Sequence, residues 1–450
     1  MDIETRMRRG AAWAASDDGA RWAFGALLAG SALVLYLVGR NQWFIRDDWA
    51  FIFTRERVHQ ASGLDAMLFM AQDGHWMTGP ILIFRAIHAV FGTGSYWPYL
   101  LSAMACHFGI VVVVRKLSLR VGVTQWTATI LAGTLAVFGS GWENIVFAVQ
   151  LTYNLSLLGF LVHLWLIDHD GPPNRRDGLG VIAGLVAVSS SGFGPFFIVG
   201  TLLFMVMRRR WRAAAIATGP TVLASAWWWL VWGQDPAGQS SRSLTQVPAY
   251  VNRGLSAVFQ GLTSTTSLVG IALIATVAVA LWRGRDAAAH DLIFSLSVTA
   301  TLMYIGVGLE RSGFGIETAA NSRYVYMGAA LLIPVFGVAV DQLARLGPPV
   351  TWAGRLLLIG ATAMNVGALR SNGNDWANRA IAERNVLELV AASPALATVE
   401  GGVGPLPFSP DLRIIDIPEL IADGAIHPHA ATTPAEQAAV DQALSQPVPP

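Results

Sequence analysis

The chain has 450 residues, of which 54% are hydrophobic and 13% charged. Soluble globular proteins carry about 25% charged residues. This composition and the mean hydropathy of +0.49 therefore argue against a soluble enzyme, a nucleic-acid-binding protein and a disordered chain. The formal net charge is +1, and the single cysteine, Cys106, excludes an intrachain disulfide and a cysteine-based zinc site. The composition predicts an all-α, multi-pass helical membrane protein.

The first elements are a polar segment and an apolar run. We interpret residues 1–21 as a cytoplasmic N-terminus. Trp22–Gly39 is long enough to span a bilayer. A signal peptide is an alternative, but no small-residue cleavage site follows the run, and the aromatic, charged segment Trp43–Trp49 comes next. We therefore predict a retained first helix.

A polar stretch, 40–75, and a semi-polar helix, Trp76–Phe91, follow the first span. Arg85 and His88 interrupt Trp76–Phe91, so we expect it to lie in the interface and to close a large outer loop, 40–91. The long run Leu179–Met207 is broken by a Gly-rich turn, and we divide it into two short helices. The remaining predicted spans are Trp97–Val114, Val123–Phe138, Ile145–Ile167, Ala213–Trp232, Ser264–Trp282, Leu292–Val307, Tyr324–Val340 and Trp352–Leu369.

Arginine placement sets the predicted orientation, because cytoplasmic loops are enriched in arginine and lysine. If Trp76–Phe91 does not cross the bilayer, the arginine clusters between spans fall on the same side as the N-terminus. If it crosses, most of them fall outside. The first topology is favoured, and it gives a transmembrane domain, 22–370, of about eleven helices. The location is then the inner (plasma) membrane, with the C-terminus and the acidic loops outside.

The segment after Arg370 changes in composition. We predict a small extracytoplasmic α/β tail over 371–430, with a helix at Asp375–Ala392 and a strand-like run at Leu412–Ile417. Residues 431–450 are rich in Ala, Pro, Thr and Gln, and we expect them to be disordered.

An acidic pair, Asp47-Asp48, is the sharpest candidate for chemistry. It lies eight residues beyond the first helix, at the membrane boundary, where carboxylates are costly to desolvate. The two residues are either solvated loop aspartates, with an N-cap for a helix Trp49–Gln60 as a variant, or functional acids. A cap at Asp48 and a functional acid at Asp47 are compatible.

The layout resembles the GT-C superfamily of membrane glycosyltransferases, close to the protein mannosyltransferase and aminoarabinose transferase branch. In that family an acidic pair opens the large outer loop, as Asp47-Asp48 does here. A segment that ends in Phe-Gly follows, here His75–Pro80 and Phe91-Gly92. Paired short helices come next, here joined by Ser191–Pro195. The proline after the histidine is displaced and the turn lacks the usual lysine, so the resemblance, over 20–235, is partial.

The resemblance implies transfer of a sugar from a polyprenyl-phosphate donor to an extracytoplasmic hydroxyl of a glycan, lipid or protein. Asp47 or Asp48 would act as the general base, with the other positioning the acceptor or a metal. The phosphate leaving group needs cationic stabilisation more than a general acid. One carboxylate therefore suffices, and a single displacement implies inversion at the anomeric carbon.

Arg311 and Arg323, together with Tyr324, are candidates for binding the donor phosphate. They lie in or next to the outer segment 310–323, where an arginine can reach a lipid phosphate and bind it through two hydrogen bonds. The alternatives are an Arg323 that extends to host lipid headgroups and an Arg311 that pairs with Glu310 or Glu317.

Other polar residues fall near the same side. Glu143 can position the acceptor or act in a helix cap, and His75 with Asp73 can orient the substrate or contribute to a metal site. We assign no metal ligands; a divalent metal is possible but not required. Gln150 and Asn154 share a helix face, where hydrogen bonding between helices is favoured over lining a cavity.

Two other classes of function compete with the glycosyltransferase. A transporter or flippase for lipid-linked sugars would place ionisable residues at mid-membrane and show internal repeats, and we find no such repeat. A non-catalytic envelope-assembly protein would tolerate loss of both aspartates. The residues identify neither the sugar nor the acceptor.

Overall fold

The computed structural model describes residues 13, 16–234, 240–264 and 287–446. These residues are mostly helical, and no β-strand forms among them. The α-helices are α1 (Asp17–Gly39), α2 (Arg55–Ser62), α3 (Leu64–Phe69), α4 (Thr78–Phe91), α5 (Trp97–Arg120), α6 (Gln125–Ala136), α7 (Glu143–Val146), α8 (Leu151–Ile167), α9 (Arg175–Val188), α10 (Gly194–Met207), α11 (Trp211–Val231), α12 (Val247–Thr263), α13 (Ala287–Arg311), α14 (Ser322–Ala344), α15 (Pro348–Ala392), α16 (Ile417–Ala422) and α17 (Pro434–Leu444).

Among the residues that the structure describes, seven helices are long and apolar enough to cross a membrane, which confirms a multi-pass helical fold. These segments are Asp17–Gly39, Trp97–Arg120, Ala148–Ile167, Trp211–Val231, Ala289–Phe314, Ser322–Ala344 and Pro348–Ala392. The predicted count of eleven is not confirmed. The predicted span Ser264–Trp282 lies almost wholly outside the described residues. Helix α6 has 12 residues, and α9 and α10 have 14 each, about 18–21 Å at 1.5 Å per residue.

Helix α14 forms the centre of the bundle. Every residue from Tyr324 to Gly337 is buried, because α5, α6, α12, α13 and α15 all pack against it. Such a helix is apolar on all sides. A polar group in its buried part, the Tyr326 hydroxyl, meets a partner on another helix: the hydroxyl and His107 Nδ1, on α5, lie 2.7 Å apart. This fixed helix holds Arg323 at its N-terminal end.

Ion pairs join the ends of several helices on one side of the bundle. Arg120 at the end of α5 binds Asp168, which follows α8, with 2.6 Å between Nε and Oδ2. Arg208, which follows α10, binds the same carboxylate. Arg210 lies 3.8 Å from Asp177 in the first turn of α9. These pairs bring the helix ends that carry the arginine clusters to one side.

The predicted helix Asp375–Ala392 is part of α15, which continues without a break from the predicted span Trp352–Leu369. At 1.5 Å per residue its 45 residues extend about 67 Å. The buried positions Leu369, Gly373 and Ala380 keep helical spacing through the junction. One packed face therefore runs from the bundle into the tail.

The expected tail architecture is corrected at two points. The strand expected at Leu412–Ile417 is a 3-10 turn, Ile414–Asp416, that leads into α16. The disorder expected over 431–450 is wrong for Pro434–Leu444, which forms α17. Thr433 and Glu436 cap that helix reciprocally, and α17 packs on α15. The small tail is thus helical in the part of the chain described.

Candidate active site

A small cavity lies where the first outer loop meets the ends of the bundle helices. Its volume is about 50 Å³, room for one or two water molecules at about 30 Å³ each. It is lined by Asp47, Phe51, Gln72, Asp73, His75, Met77, Val149, Gln150, Thr152, Tyr153, Arg311 and Arg323. Four predicted site residues thus come together from three distant stretches of sequence. A sugar is larger than this volume, so the cavity would have to widen to hold one.

Asp48 does not line this cavity. Its side chain is fully buried and accepts hydrogen bonds from the backbone N–H of Ile45 (3.2 Å), the Tyr96 hydroxyl (3.1 Å) and the Val149 N–H (3.1 Å). Burial raises the pKa of Asp48 well above its usual range, and these hydrogen bonds act in the opposite direction. Asp48 therefore connects the segment around the acidic pair to the residues just before α8. Its bond to Ile45 runs backwards along the chain, so its predicted N-cap role is wrong.

Asp47 has the opposite environment from its neighbour. The residue is exposed to solvent and lines the cavity. Desolvation by the surrounding protein raises the pKa of Asp47; Arg46 lowers it, Asp73 raises it further and Arg323 lowers it. The result is an accessible carboxylate with raised basicity, which suits proton abstraction.

The backbone before Asp47 is held in an uncommon conformation by the tail. Arg46 has φ +56°, a left-handed conformation that costs a non-glycine residue energy and persists only where its surroundings impose it. The Arg46 N–H donates to Ser409 Oγ at 2.6 Å. Ser409 Oγ in turn donates to Glu383 Oε2 on α15, also at 2.6 Å. This chain of contacts fixes where Asp47 points.

A tight turn places Asp73 and His75 at the cavity. Gln72 and His75 exchange two backbone hydrogen bonds, at 3.0 and 2.9 Å, around Asp73 and Gly74, whose φ angles are +50° and +76°. Asp-Gly is typical of such two-residue turns. Burial lowers the pKa of His75, and the Arg311 charge lowers it further, so the imidazole is neutral at pH 7. Gly192 allows this approach: a Cβ there would lie 2.3 Å from His75 Nδ1.

The two arginines come from α13 and α14. Among the described residues, neither Arg311 nor Arg323 lies within 4 Å of a carboxylate oxygen, as an ion pair requires. The glutamates expected as partners for Arg311 are taken by others: Arg242 binds Glu310 at 2.7 Å and Arg253 binds Glu317 at 2.9 Å. The alternative role for Arg311 is therefore wrong. Arg323 also carries a buried Nε without a hydrogen-bond partner.

Two predicted residues lie beside the cavity. Tyr324 is 2% exposed. The centre of its ring lies 5.6 Å from the Arg323 guanidinium carbon, so the ring packs against the arginine. Glu143 is in the first turn of α7 and is bonded through its N–H to Ser322 Oγ at 3.1 Å. Its Oε2 is buried without a partner. Tyr324 therefore contacts Arg323 directly, and Glu143 contacts the residue before Arg323.

Gln150 and Asn154 have different roles although one helix face carries both. Gln150 lines the cavity, contrary to the favoured prediction. Asn154 donates to the backbone oxygen of Asn144 at 2.6 Å and of Ala103 at 3.3 Å, as predicted. The tail residues Glu383 and Ser409 were not predicted as part of the site, because no pattern in the sequence links them to Arg46.

No protein-family model and no curated protein matches the sequence. Solved structures do. ArnT from Cupriavidus metallidurans bound to undecaprenyl phosphate matches with a TM-score of 0.52 and 13% identity, over 92% of this chain and 87% of that chain. The apo form of the same protein matches with a TM-score of 0.53 and 12% identity, over 92% of this chain and 86% of that chain.

The chain has the fold of ArnT. This match confirms the GT-C resemblance as a resemblance of fold. An Archaeoglobus fulgidus oligosaccharyltransferase also aligns, with a TM-score of 0.49 and 13% identity, over 97% of this chain and 61% of that chain. At 12–13% identity, the ArnT likeness defines the architecture on which the cavity is built, and the chemistry must come from the cavity's own residues.

Proposed function

We propose that this protein is a membrane glycosyltransferase that moves a sugar from a polyprenyl-phosphate donor to an extracytoplasmic acceptor hydroxyl. One observation carries the proposal: an accessible carboxylate, Asp47, shares a cavity with two arginines, Arg311 and Arg323, that have no carboxylate partner among the described residues. The fold supports it, because the ArnT structure with this fold is bound to undecaprenyl phosphate. The acceptor is a glycan, lipid or protein of the cell envelope.

Asp47 is the general base. A hydroxyl is a poor nucleophile, and a carboxylate within hydrogen-bond reach removes its proton as the new bond forms. Asp47 is accessible for this role, whereas Asp48 already accepts three hydrogen bonds and lies away from the cavity. Direct displacement of the phosphate by the acceptor inverts the anomeric carbon. Asp48 is a positioning residue.

Arg311 and Arg323 bind the donor phosphate. The leaving group is a phosphate monoester, which guanidinium groups stabilise through paired, charge-assisted hydrogen bonds. The unpartnered Nε of Arg323 suits this role, and Tyr324 and Glu143 hold the arginine's segment. Neutral His75 orients the acceptor or the sugar as a hydrogen-bonding group. A divalent metal is not required.

The active site faces the extracytoplasmic side of the inner (plasma) membrane. The helix ends joined by Arg120, Arg208 and their aspartate partners carry the arginine clusters, which favour the cytoplasm. Asp47 follows the other end of α1, after Gly39. With the N-terminus inside, labelling of a cysteine introduced next to Arg115 should fail from outside and succeed after permeabilisation.

The function is tested by incubating purified protein with a panel of radiolabelled polyprenyl-phosphate sugars and envelope acceptors. We expect transfer from one donor, with an inverted anomeric configuration in the product. Asp47→Asn should lower turnover by about 10²–10⁴-fold, the usual contribution of a general base. Asp65→Asn, at an exposed position of the same loop, is the matched control. Unchanged turnover in Asp47→Asn would remove the base assignment, and intact donors throughout the panel would contradict the proposed function.

A further inference from the structure

A second cluster of ligand-type side chains lies away from the cavity, between α4 of the first outer loop and α16 of the tail. His88 on α4 faces Glu419 on α16 and Asp423 just after it, and the ligand atoms of all three lie within 4.8 Å of one another. We propose that His88, Glu419 and Asp423 form a divalent-metal site, suited to Zn²⁺, that fastens the tail to the interfacial helix. This inference does not rest on the proposed transfer reaction.

The spacing of the three groups fits a small divalent cation. Zn²⁺ binds nitrogen and carboxylate oxygen at about 2.0–2.2 Å with tetrahedral geometry, which places neighbouring ligand atoms about 3.3 Å apart. His88 Nε2 lies 3.0 Å from Glu419 Oε1. That nitrogen is shielded from solvent and makes no hydrogen bond of acceptable geometry. A shielded imidazole nitrogen within 4.8 Å of two carboxylate oxygens is a candidate metal ligand.

Asp423 is oriented for ligation by the loop that it meets. Its Oδ2 accepts hydrogen bonds from Thr93 N–H at 2.6 Å and Thr93 Oγ1 at 2.9 Å, and these bonds hold the carboxylate in place. Supporting hydrogen bonds of this kind fix the carboxylates of metal sites. The close approach of Asp423 to this loop depends on two glycines. A Cβ at Gly92 would lie 2.4 Å from Asp423 Oδ2, and a Cβ at Gly94 would lie 2.5 Å from the Asp423 backbone oxygen.

The donor set selects among cations. One imidazole nitrogen and two carboxylates suit Zn²⁺, with water in the fourth position, whereas Ca²⁺ and Mg²⁺ prefer all-oxygen sites. The nearby cation Arg85 does not oppose the metal strongly, because it is bound to Glu56 and donates to the Ile52 oxygen at 2.9 Å. The bound metal would join residues 88 and 419, which lie far apart in the chain.

The test uses the full-length protein, freed of any affinity tag and stripped with a chelator. After exposure to Zn²⁺ and gel filtration, elemental analysis should give about one zinc per chain, and Zn²⁺ should raise the melting temperature by several degrees. Limited proteolysis should show a tail that becomes resistant. Equal concentrations of Mg²⁺ or Ca²⁺ should have little effect.

Variants separate a metal site from a simple ion pair. His88→Ala and Asp423→Asn should each weaken zinc binding at least tenfold and remove the thermal shift. His59→Ala is the matched control, since His59 lies 4.0 Å from Glu56 in a pair without a third ligand. Zinc below one-tenth per chain in the wild type, or equal zinc in wild type and His88→Ala, would overturn the proposal. Neither readout depends on sugar transfer, so loss of the proposed function would leave this result interpretable.

Discussion

The two ends of the bundle use arginine in opposite ways. At one end Arg120 and Arg208 share the carboxylate of Asp168, and Arg208 also lies 3.3 Å from Asp170, so two cations and two anions balance between helix ends. At the other end Arg311 and Arg323 line a cavity without a carboxylate partner in the described part of the chain. Paired charges hold helices together, whereas cations that line a cavity without a direct ion-pair partner keep donor N–H groups available for an anion. The presence or absence of a carboxylate partner therefore distinguishes arginines that join helices from the arginines to which we assign donor binding. Their positions in the sequence do so less well.

The largest expected effect on stability lies at the paired end. Arg208 is 8% exposed and its partner Asp168 is 4% exposed, so Arg208→Ala leaves a buried carboxylate with one cation fewer. Breaking a buried pair completely costs about 3–5 kcal/mol, and because Arg120 still binds Asp168 the cost here should lie at or below the lower end of that range. We expect a clear fall in melting temperature in detergent, with turnover per folded molecule unchanged. The exposed Arg212→Ala is the control, and equal melting temperatures for the two variants would contradict a structural role for Arg208.

At the cavity end, loss of an arginine should lower activity and leave stability nearly unchanged. Arg323→Gln removes the cation to which we assign the donor phosphate, and loss of one such stabilising group typically lowers the rate about 10²–10³-fold. We expect that fall in kcat/KM, with little change in melting temperature. Arg379→Gln, at an exposed position of α15, should leave both quantities unchanged. If Arg323→Gln lowered stability and not transfer, the distinction between the two ends would fail.

A smaller effect is expected where the tail holds the acidic loop. Ser409→Ala removes the acceptor of the part-buried Arg46 N–H, and loss of an ordinary hydrogen bond costs about 0.5–1.5 kcal/mol. Part of that cost appears as misplacement of Asp47, and we expect roughly a tenfold fall in kcat. Ser409→Thr, which keeps the hydroxyl, should have a kcat close to that of the wild type. The exposed Ser445→Ala should leave kcat unchanged. A failure of threonine to rescue would argue against positioning through this hydroxyl.

The smallest expected effect is a shift in the pH profile. Asp47 must be ionised to act as a base, and its pKa is raised, chiefly by desolvation in the surrounding protein. Activity should therefore fall, as pH decreases, at a higher pH than the ordinary aspartate pKa of about 3.9 implies. Asp73 contributes to that rise, so Asp73→Asn should move the acid limb to lower pH. Asparagine tolerates the left-handed backbone at this position. An unmoved limb would show that Asp73 does not act on the titrating group.

The sequence could predict which residues converge, and less about how each is used. The topology predicted that Asp47, His75, Arg311 and Arg323 reach one side, and the cavity contains all four. It could not separate Asp47 from Asp48, because the two are adjacent and chemically identical. The difference arises from tertiary contacts, namely the turn at Arg46 and the hydrogen bond from Val149 to Asp48.

The tail was the least predictable region. The contact between Arg46 and Ser409 joins residues 363 positions apart, a separation that local patterns do not encode. The helix at Pro434–Leu444 had a local signal in the Thr433–Glu436 capping box, which the Ala- and Pro-rich composition concealed. The long spans were easier to predict, because a continuous apolar run of about 20 residues is typical of a helix that crosses a membrane.

The central claim is that Asp47 performs the chemistry while the arginines bind the donor. The most direct test measures donor binding and single-turnover transfer in parallel for wild type and Asp47→Asn, with the donor identified from the panel. Asp47→Asn should bind the polyprenyl-phosphate sugar within a few-fold of wild type and transfer it about 10²–10⁴-fold more slowly. Transfer at the wild-type rate by Asp47→Asn, with binding intact, would contradict the claim.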